Sequence, residues 1–150
     1  MIPICCLGVA AHGVEIPAQN GLGHEDVGGQ IQQAHQNHGV GDAKEVRPAP
    51  QLAGLSDWIN SPPRTLAGLR GKVVVIDFWT YSCINCLRTL PYLKAWDAAY
   101  RKAGLVILAA HSPEFAFEHV PGNVRQAVRE LGVRYPVALD NHFDTWHAFS

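Results

Sequence analysis

A run of seven residues, Val73-Val74-Val75-Ile76-Asp77-Phe78-Trp79, places the strongest constraint on how this chain can fold. It is almost unbroken in β-branched and aromatic side chains, the pattern of a strand buried on both faces, and a sheet offers that environment when crossover helices cover it. Thr80-Tyr81-Ser82 interrupts the run, and a helix is expected to begin near Cys83. Leu87, Leu90, Leu93, Trp96 and Tyr100 then recur at spacings of three or four, which predicts one stripe against a core. Gly104 is the expected C-cap. A second apolar run, Leu105-Val106-Ile107-Leu108-Ala109-Ala110, reads as the next strand. Residues 122–132 read as a second helix with Val124, Ala127, Val128 and Leu131 on one side, and Pro136-Val137-Ala138-Leu139-Asp140 as a shorter third strand. Strand, helix, strand, helix, strand implies a parallel-biased sheet with crossover helices, so the fold class is α/β.

In such a sheet the turn from a strand's C-terminal end into a helix is where reactive groups gather. The amides of a first helical turn have no internal partners, and the helix dipole adds partial positive charge there. Cys83 and Cys86 fall on that turn. Two cysteines three apart at a helix start share a face and lie within reach of a disulfide. Cys83, at the end, is the expected exposed member, and the unpaired amides favour its thiolate form. Cys86, one turn in, is the expected sheltered thiol, able to attack a mixed disulfide formed by Cys83.

Other uses of the pair fit less well. A structural zinc site wants a second ligand pair, yet Cys5 and Cys6 lie in a dissimilar N-terminal segment, and nothing in the sequence brings His111, His119, His142 or His147 to the helix start. Covalent haem attachment needs His after the second cysteine, where Leu87 stands. Two ordinary buried cysteines remain the bland alternative. No cofactor is implied.

The chain divides into unlike halves. Residues 1–50 hold eight of the fourteen glycines, no aromatic residue, no Lys or Arg before Lys44, and a Gln/His/Gly run over residues 28–41. Such a segment buries too little apolar surface to offset its conformational entropy, so 1–50 is expected to be flexible, ending in the linker Arg47-Pro48-Ala49-Pro50. His35 and His38 have a metal-binding spacing, but in this setting they read as solvated. Residues 2–11 mimic a signal-peptide core without its basic flank, and Cys5 stands too near the start for a lipoprotein anchor, so an arbitrary start within a longer coding region is the preferred reading. Residues 51–150 form the expected folded domain. A net charge of −1 gives no reason to expect a nucleic-acid partner.

The segment Asp77-Phe78-Trp79-Thr80-Tyr81-Ser82-Cys83-Ile84-Asn85-Cys86, followed by Pro91, resembles the active-site segment of thioredoxin-fold proteins. It matches in four places: an acid six before the first cysteine, Trp four before it, the two-residue gap, and Pro eight after it. More narrowly, Phe78–Cys86 and the later Pro113-Glu114-Phe115-Ala116-Phe117-Glu118-His119 resemble the extracytoplasmic thioredoxin-like domain of DipZ-type proteins, within the TlpA-like thiol oxidoreductases associated with cytochrome c biogenesis. The similarity runs over residues 50–150. It implies Cys83 as attacking thiolate, Cys86 as resolving thiol, and Asp77 as the buried carboxyl exchanging a proton with Cys86. Trp79 and Ser82 would form the site's surroundings, and Pro91 would kink the helix. The same resemblance implies protein disulfide or dithiol substrates, an extracytoplasmic location, and a membrane-embedded electron donor of the CcdA/DsbD type. Thr80, three residues before Cys83, resembles a peroxiredoxin motif, but Ile76 stands where that motif has Pro, so peroxide reduction is the second redox reading.

Against that family pattern the sequence ends early. Residues 141–150 read as the start of a connecting helix, and Pro136 begins a strand instead of following one, so it is not assigned the family's cis-proline role. The expectation is a βαβαβ portion of the fold without the C-terminal hairpin and helix, one sheet face partly uncovered, and an open strand edge prone to self-association.

Overall fold

The structure, a computed structural model, describes the backbone of residues 7–11 and the whole of residues 48–150. The Gln/His/Gly run, Cys5, Cys6, His35 and His38 lie outside the described residues. Five strands form one mixed sheet: β1 (Leu7–Ala11), β2 (Ser56–Ile59), β3 (Val73–Trp79), β4 (Leu105–His111) and β5 (Val137–Leu139), in the order β1-β3-β4-β5-β2. The central three are parallel, with Trp79 opposite His111 and His111 opposite Leu139. Helices α1 (Ile84–Tyr100) and α2 (Pro121–Glu130) make the crossovers, and α3 (Asp144–Phe149) follows β5. The fold is thioredoxin-like, with its central strands and crossover helices where the apolar runs place them.

Both edge strands are additions to the sequence-based reading. β1 falls within the stretch expected to be flexible, and it pairs antiparallel with β3 from Leu7↔Asp77 to Ala11↔Val73. The outer edge of β3 is therefore paired, against the expectation of an open edge. β2 runs antiparallel to β5 with an irregular register between Ser56 and Ile59, and Asp57 has a φ of 45°. Four residues with a break in register carry no alternating pattern.

Successive side chains of β3 go to opposite faces. Val75 and Trp79 join Ile107, Ala109, Val137 and Leu139 beneath α1 and α2, where Leu90, Leu93, Val124 and Val128 complete the cluster. Val74, Ile76 and Phe78 enter a second cluster with Leu66, Leu69 and Ala110, flanked by Leu52, Leu55, Trp146 and Phe149. The second face is thus covered, contrary to the sequence-based expectation. Trp146 lies edge-on to Phe78, with ring centroids 5.1 Å apart. Buried Asp140 holds α3 in place by accepting the N–H groups of Thr145 at 3.2 Å and Trp146 at 2.9 Å. Thr145 in turn accepts the Ala53 N–H at 3.0 Å and donates to the Ala53 carbonyl at 2.5 Å, which pins the chain entering the domain.

The core stripe of α1 also differs from expectation. Its buried residues are Cys86, Leu90, Leu93 and Asp97, while Trp96 and Tyr100 are 41% and 56% exposed. Alternating steps of four and three hold a stripe on one face, whereas the three successive steps of three from Leu87 to Trp96 drift back by roughly 60° each. Asp97 enters the stripe because Arg101, one turn on, pairs with its carboxylate. Among the described residues no helix is long and apolar enough to cross a membrane.

Candidate redox site

Strand β3 delivers the chain to the turn Thr80-Tyr81-Ser82, and Cys83 follows as the N-cap of α1 with extended backbone angles. The Cys83 N–H donates to the Thr80 carbonyl at 3.3 Å, and the Cys83 carbonyl accepts the first α-helical bond from Leu87 at 3.0 Å. Cys83 is half-buried; Cys86, one turn in, is 2% exposed within the cluster beneath α1. The order of exposure is the one that their places on the helix predict.

The other residues singled out from the sequence gather around this turn. Asp77 is 4% exposed and alternates with Val75 and Trp79, so it faces the same side of the sheet as Cys86. Burial pushes its carboxyl up from 3.8 to about 6. Tyr135, buried nearby, has its hydroxyl pKa raised by burial and by the charges of Asp77 and Asp97. Trp79 is buried beside Cys86 and lies edge-on to His111, with centroids 5.7 Å apart. Ser82 is exposed, yet its hydroxyl donates inward to Glu118. Pro91 sits inside α1, which runs on through it to Tyr100. Among the described residues no three His, Cys, Asp or Glu side chains gather as a metal site.

The sequence did not single out a buried polar network behind the turn. Glu118, in the 3-10 turn Ala116–His119 after β4, has no solvent exposure. Its Oε1 accepts the hydroxyls of Thr80 and Ser82, and its Oε2 accepts the N–H groups of Glu114 at 2.7 Å and Phe115 at 3.0 Å. Burial alone would raise its carboxyl, but those donors outweigh it, holding the group below its usual value and anionic at neutral pH. Because the Thr80 hydrogen goes to Glu118, its oxygen is left to accept from His111 Nε2 at 3.3 Å. That assigns the neutral tautomer with hydrogen on Nε2 and leaves Nδ1 a buried lone pair. Burial lowers the His111 pKa to about 4, against the pull of the Glu118 charge. The Tyr81 ring stacks on His111 at 5.6 Å, and its hydroxyl donates to the Phe117 carbonyl at 3.2 Å. Glu118 lies in the Pro113–His119 segment of the resemblance, which assigned it no role, and no local pattern marks His111; the Trp79↔His111 register and the 3-10 turn bring both to the Thr80–Ser82 turn.

A cysteine pair opening the helix that follows a central parallel strand is the site architecture of the thioredoxin-like class. Residues 47–150 match the AhpC/TSA family, and the chain belongs to that family. It is 44% identical over 137 residues to "Protein DipZ" of Mycobacterium tuberculosis (strain CDC 1551 / Oshkosh), covering 89% of this chain and 20% of that protein. The chain thus spans about a fifth of that relative's length. It is 25% identical over 103 residues to "Thiol-disulfide oxidoreductase YkuV" of Bacillus subtilis (strain 168), covering 69% of each. Among solved structures it is similar to a "Thioredoxin-like Protein in the Oxidized Form", with a TM-score of 0.59 and 26% identity over 67% of this chain and 70% of that one.

Proposed function

We propose that this chain exchanges disulfides with protein substrates through Cys83 and Cys86. The carrying observation is the unequal placement of the two thiols, one half-buried at the helix start and one buried a turn behind it. In the reductive direction the Cys83 thiolate attacks one sulfur of a partner's disulfide. The partner's S–S bond breaks, its other sulfur leaves as thiolate, and a Cys83–partner disulfide remains. Cys86, once deprotonated, attacks the Cys83 sulfur, which releases the partner's second thiol and forms the Cys83–Cys86 disulfide. Two electrons pass to the partner, and the oxidative direction reverses every step.

Asp77, on the same sheet face as Cys86 and raised to about 6, is the group proposed to take the Cys86 proton. Trp79 keeps water from that transfer, while Ser82 and Pro91 belong to the framework of the turn and helix. The named relatives support this reading. The resemblance to DipZ-type domains further supports an extracytoplasmic setting, a membrane-embedded donor of the CcdA/DsbD type that restores the dithiol, and work in cytochrome c maturation or extracytoplasmic redox homeostasis.

The test is a single-turnover reaction of the reduced chain with a disulfide-bridged peptide, trapped with acid. The expected result is one Cys83–Cys86 disulfide per peptide reduced, no reaction in Cys83→Ser, and an accumulating mixed disulfide in Cys86→Ser. Full activity in Cys83→Ser, or one zinc per chain lost with that substitution, would overturn it.

A further inference from the structure

Phe115 and Phe117 stand beside the Cys83 turn 47% and 50% exposed, their rings stacked face to face with centroids 5.5 Å apart and planes within 5°. Val120, equally exposed, follows them. Two features separate this patch from casual surface hydrophobics. The first is that its backbone is held from both sides. Glu118 Oε2 takes the N–H groups of Glu114 and Phe115, and the Phe117 carbonyl accepts both the Tyr81 hydroxyl and Asn123 Nδ2, at 3.2 and 2.9 Å. The second is its tie to the redox turn. Thr80, Tyr81 and Ser82, the three residues before Cys83, are each hydrogen-bonded to Phe117 or Glu118. A rigid apolar platform left in water is unfavourable for the isolated chain, and rigidity lowers the cost of binding there.

We propose that the Phe115–Phe117 platform is the subsite for a large apolar side chain flanking the partner's disulfide, so that the preferred substrate is an extended protein segment with an aromatic or aliphatic residue next to its cysteine. The inference rests on the disulfide-exchange reading above. A partner sulfur brought to Cys83 lays its neighbouring residues against whatever borders the turn, and on this side the border is flat and aromatic. Exposed Glu114 beside it disfavours an acidic flank.

The experiment uses the reduced 150-residue chain and three oxidants. Two are disulfide-bridged peptides that differ only in Leu or Ser beside the cysteine, and the third is hydroxyethyl disulfide, which has no flank. The unaltered chain is expected to react about tenfold faster with the Leu peptide than with the Ser peptide. In Phe115→Ser/Phe117→Ser that ratio falls to near one while the hydroxyethyl disulfide rate is unchanged, and Phe115→Leu/Phe117→Leu restores most of the preference. A preference that survives in the Ser variant, or one absent from the unaltered chain, overturns the subsite. So does a Ser variant equally slow with hydroxyethyl disulfide, or one that changes only self-association in sedimentation. If the unaltered chain fails even with hydroxyethyl disulfide, the redox reading beneath the subsite fails, a result distinct from loss of selectivity alone.

Discussion

The hydroxyl of Ser82, the residue before Cys83, donates at 2.5 Å to Oε1 of Glu118, a carboxylate with no solvent exposure. The turn that carries Cys83 and the 3-10 turn after β4 are thereby closed on one anion, which has three further donors.

Glu118→Ala should therefore be among the most damaging single substitutions in the domain. It strands the buried Thr80 hydroxyl, at a cost of about 1–3 kcal/mol, and two part-buried backbone N–H groups that add to the loss. The expected loss is about 3–5 kcal/mol, with Glu118→Gln losing about half as much because one acceptor oxygen remains. A double-mutant cycle of Ser82→Ala with Glu118→Gln should show a coupling of about 1 kcal/mol. Urea denaturation measures all three, and strictly additive effects would contradict the shared anion.

On α1 the costs should follow burial and not hydrophobicity. Leu93, 1% exposed, is expected to cost about 2–5 kcal/mol as Leu93→Ala. Trp96→Lys and Tyr100→Lys should each fall within about 0.5 kcal/mol of the parent, since both side chains face outward. A large loss in Trp96→Lys would show that the outward stripe is packed in solution. Denaturant midpoints at one pH suffice.

These residues also show where the sequence was informative. β3 and β4 were legible because both faces of each are buried, so apart from Asp77 and His111 their positions are apolar and no periodicity has to be resolved. The cysteine turn was legible because strand end, spacing and helix start coincide. The stripe of α1 was misread where large aromatics outweighed phase, and Asp97 disguised a core position by pairing with Arg101. Glu118 and His111 were not legible as site residues, because polar groups reach a buried site through strand register and a turn thirty-odd residues away.

The pairing of β1 with β3 gives a third test. Its five residues cover the Val73–Asp77 edge, so a chain lacking residues 1–11 presents that row of backbone groups unpaired. The expected result is a loss of about 1–3 kcal/mol and self-association that grows with concentration. Sedimentation velocity and urea denaturation would follow both. A shortened chain that is monomeric and equally stable would show that β1 contributes nothing to the sheet.

Two buried groups should pull stability in opposite directions with pH. Asp77 is raised from 3.8 to about 6, so between those values the folded chain keeps a proton that the unfolded chain has released. Its contribution falls as pH rises through that window and stays low above it. His111 is lowered from 6.5 to about 4, so the unfolded chain takes up a proton that the folded one refuses. That contribution is complete above 6.5 and is lost as pH drops toward 4. Each displacement corresponds to about 3 kcal/mol, and the windows overlap, so the two slopes largely cancel in the parent. Asp77→Asn should expose the histidine's slope: more stable than the parent at neutral pH, with the advantage disappearing on acidification. His111→Gln should expose the opposite slope, gaining stability relative to its own neutral value as pH falls through the same window. Glu118, held below its usual value, adds an acid-side loss only at lower pH. Urea denaturation at four pH values across the window distinguishes these outcomes. Profiles for both variants parallel to the parent's would mean that neither group titrates differently in the folded and unfolded chain, and Asp77 could not then be the base poised near neutrality for Cys86.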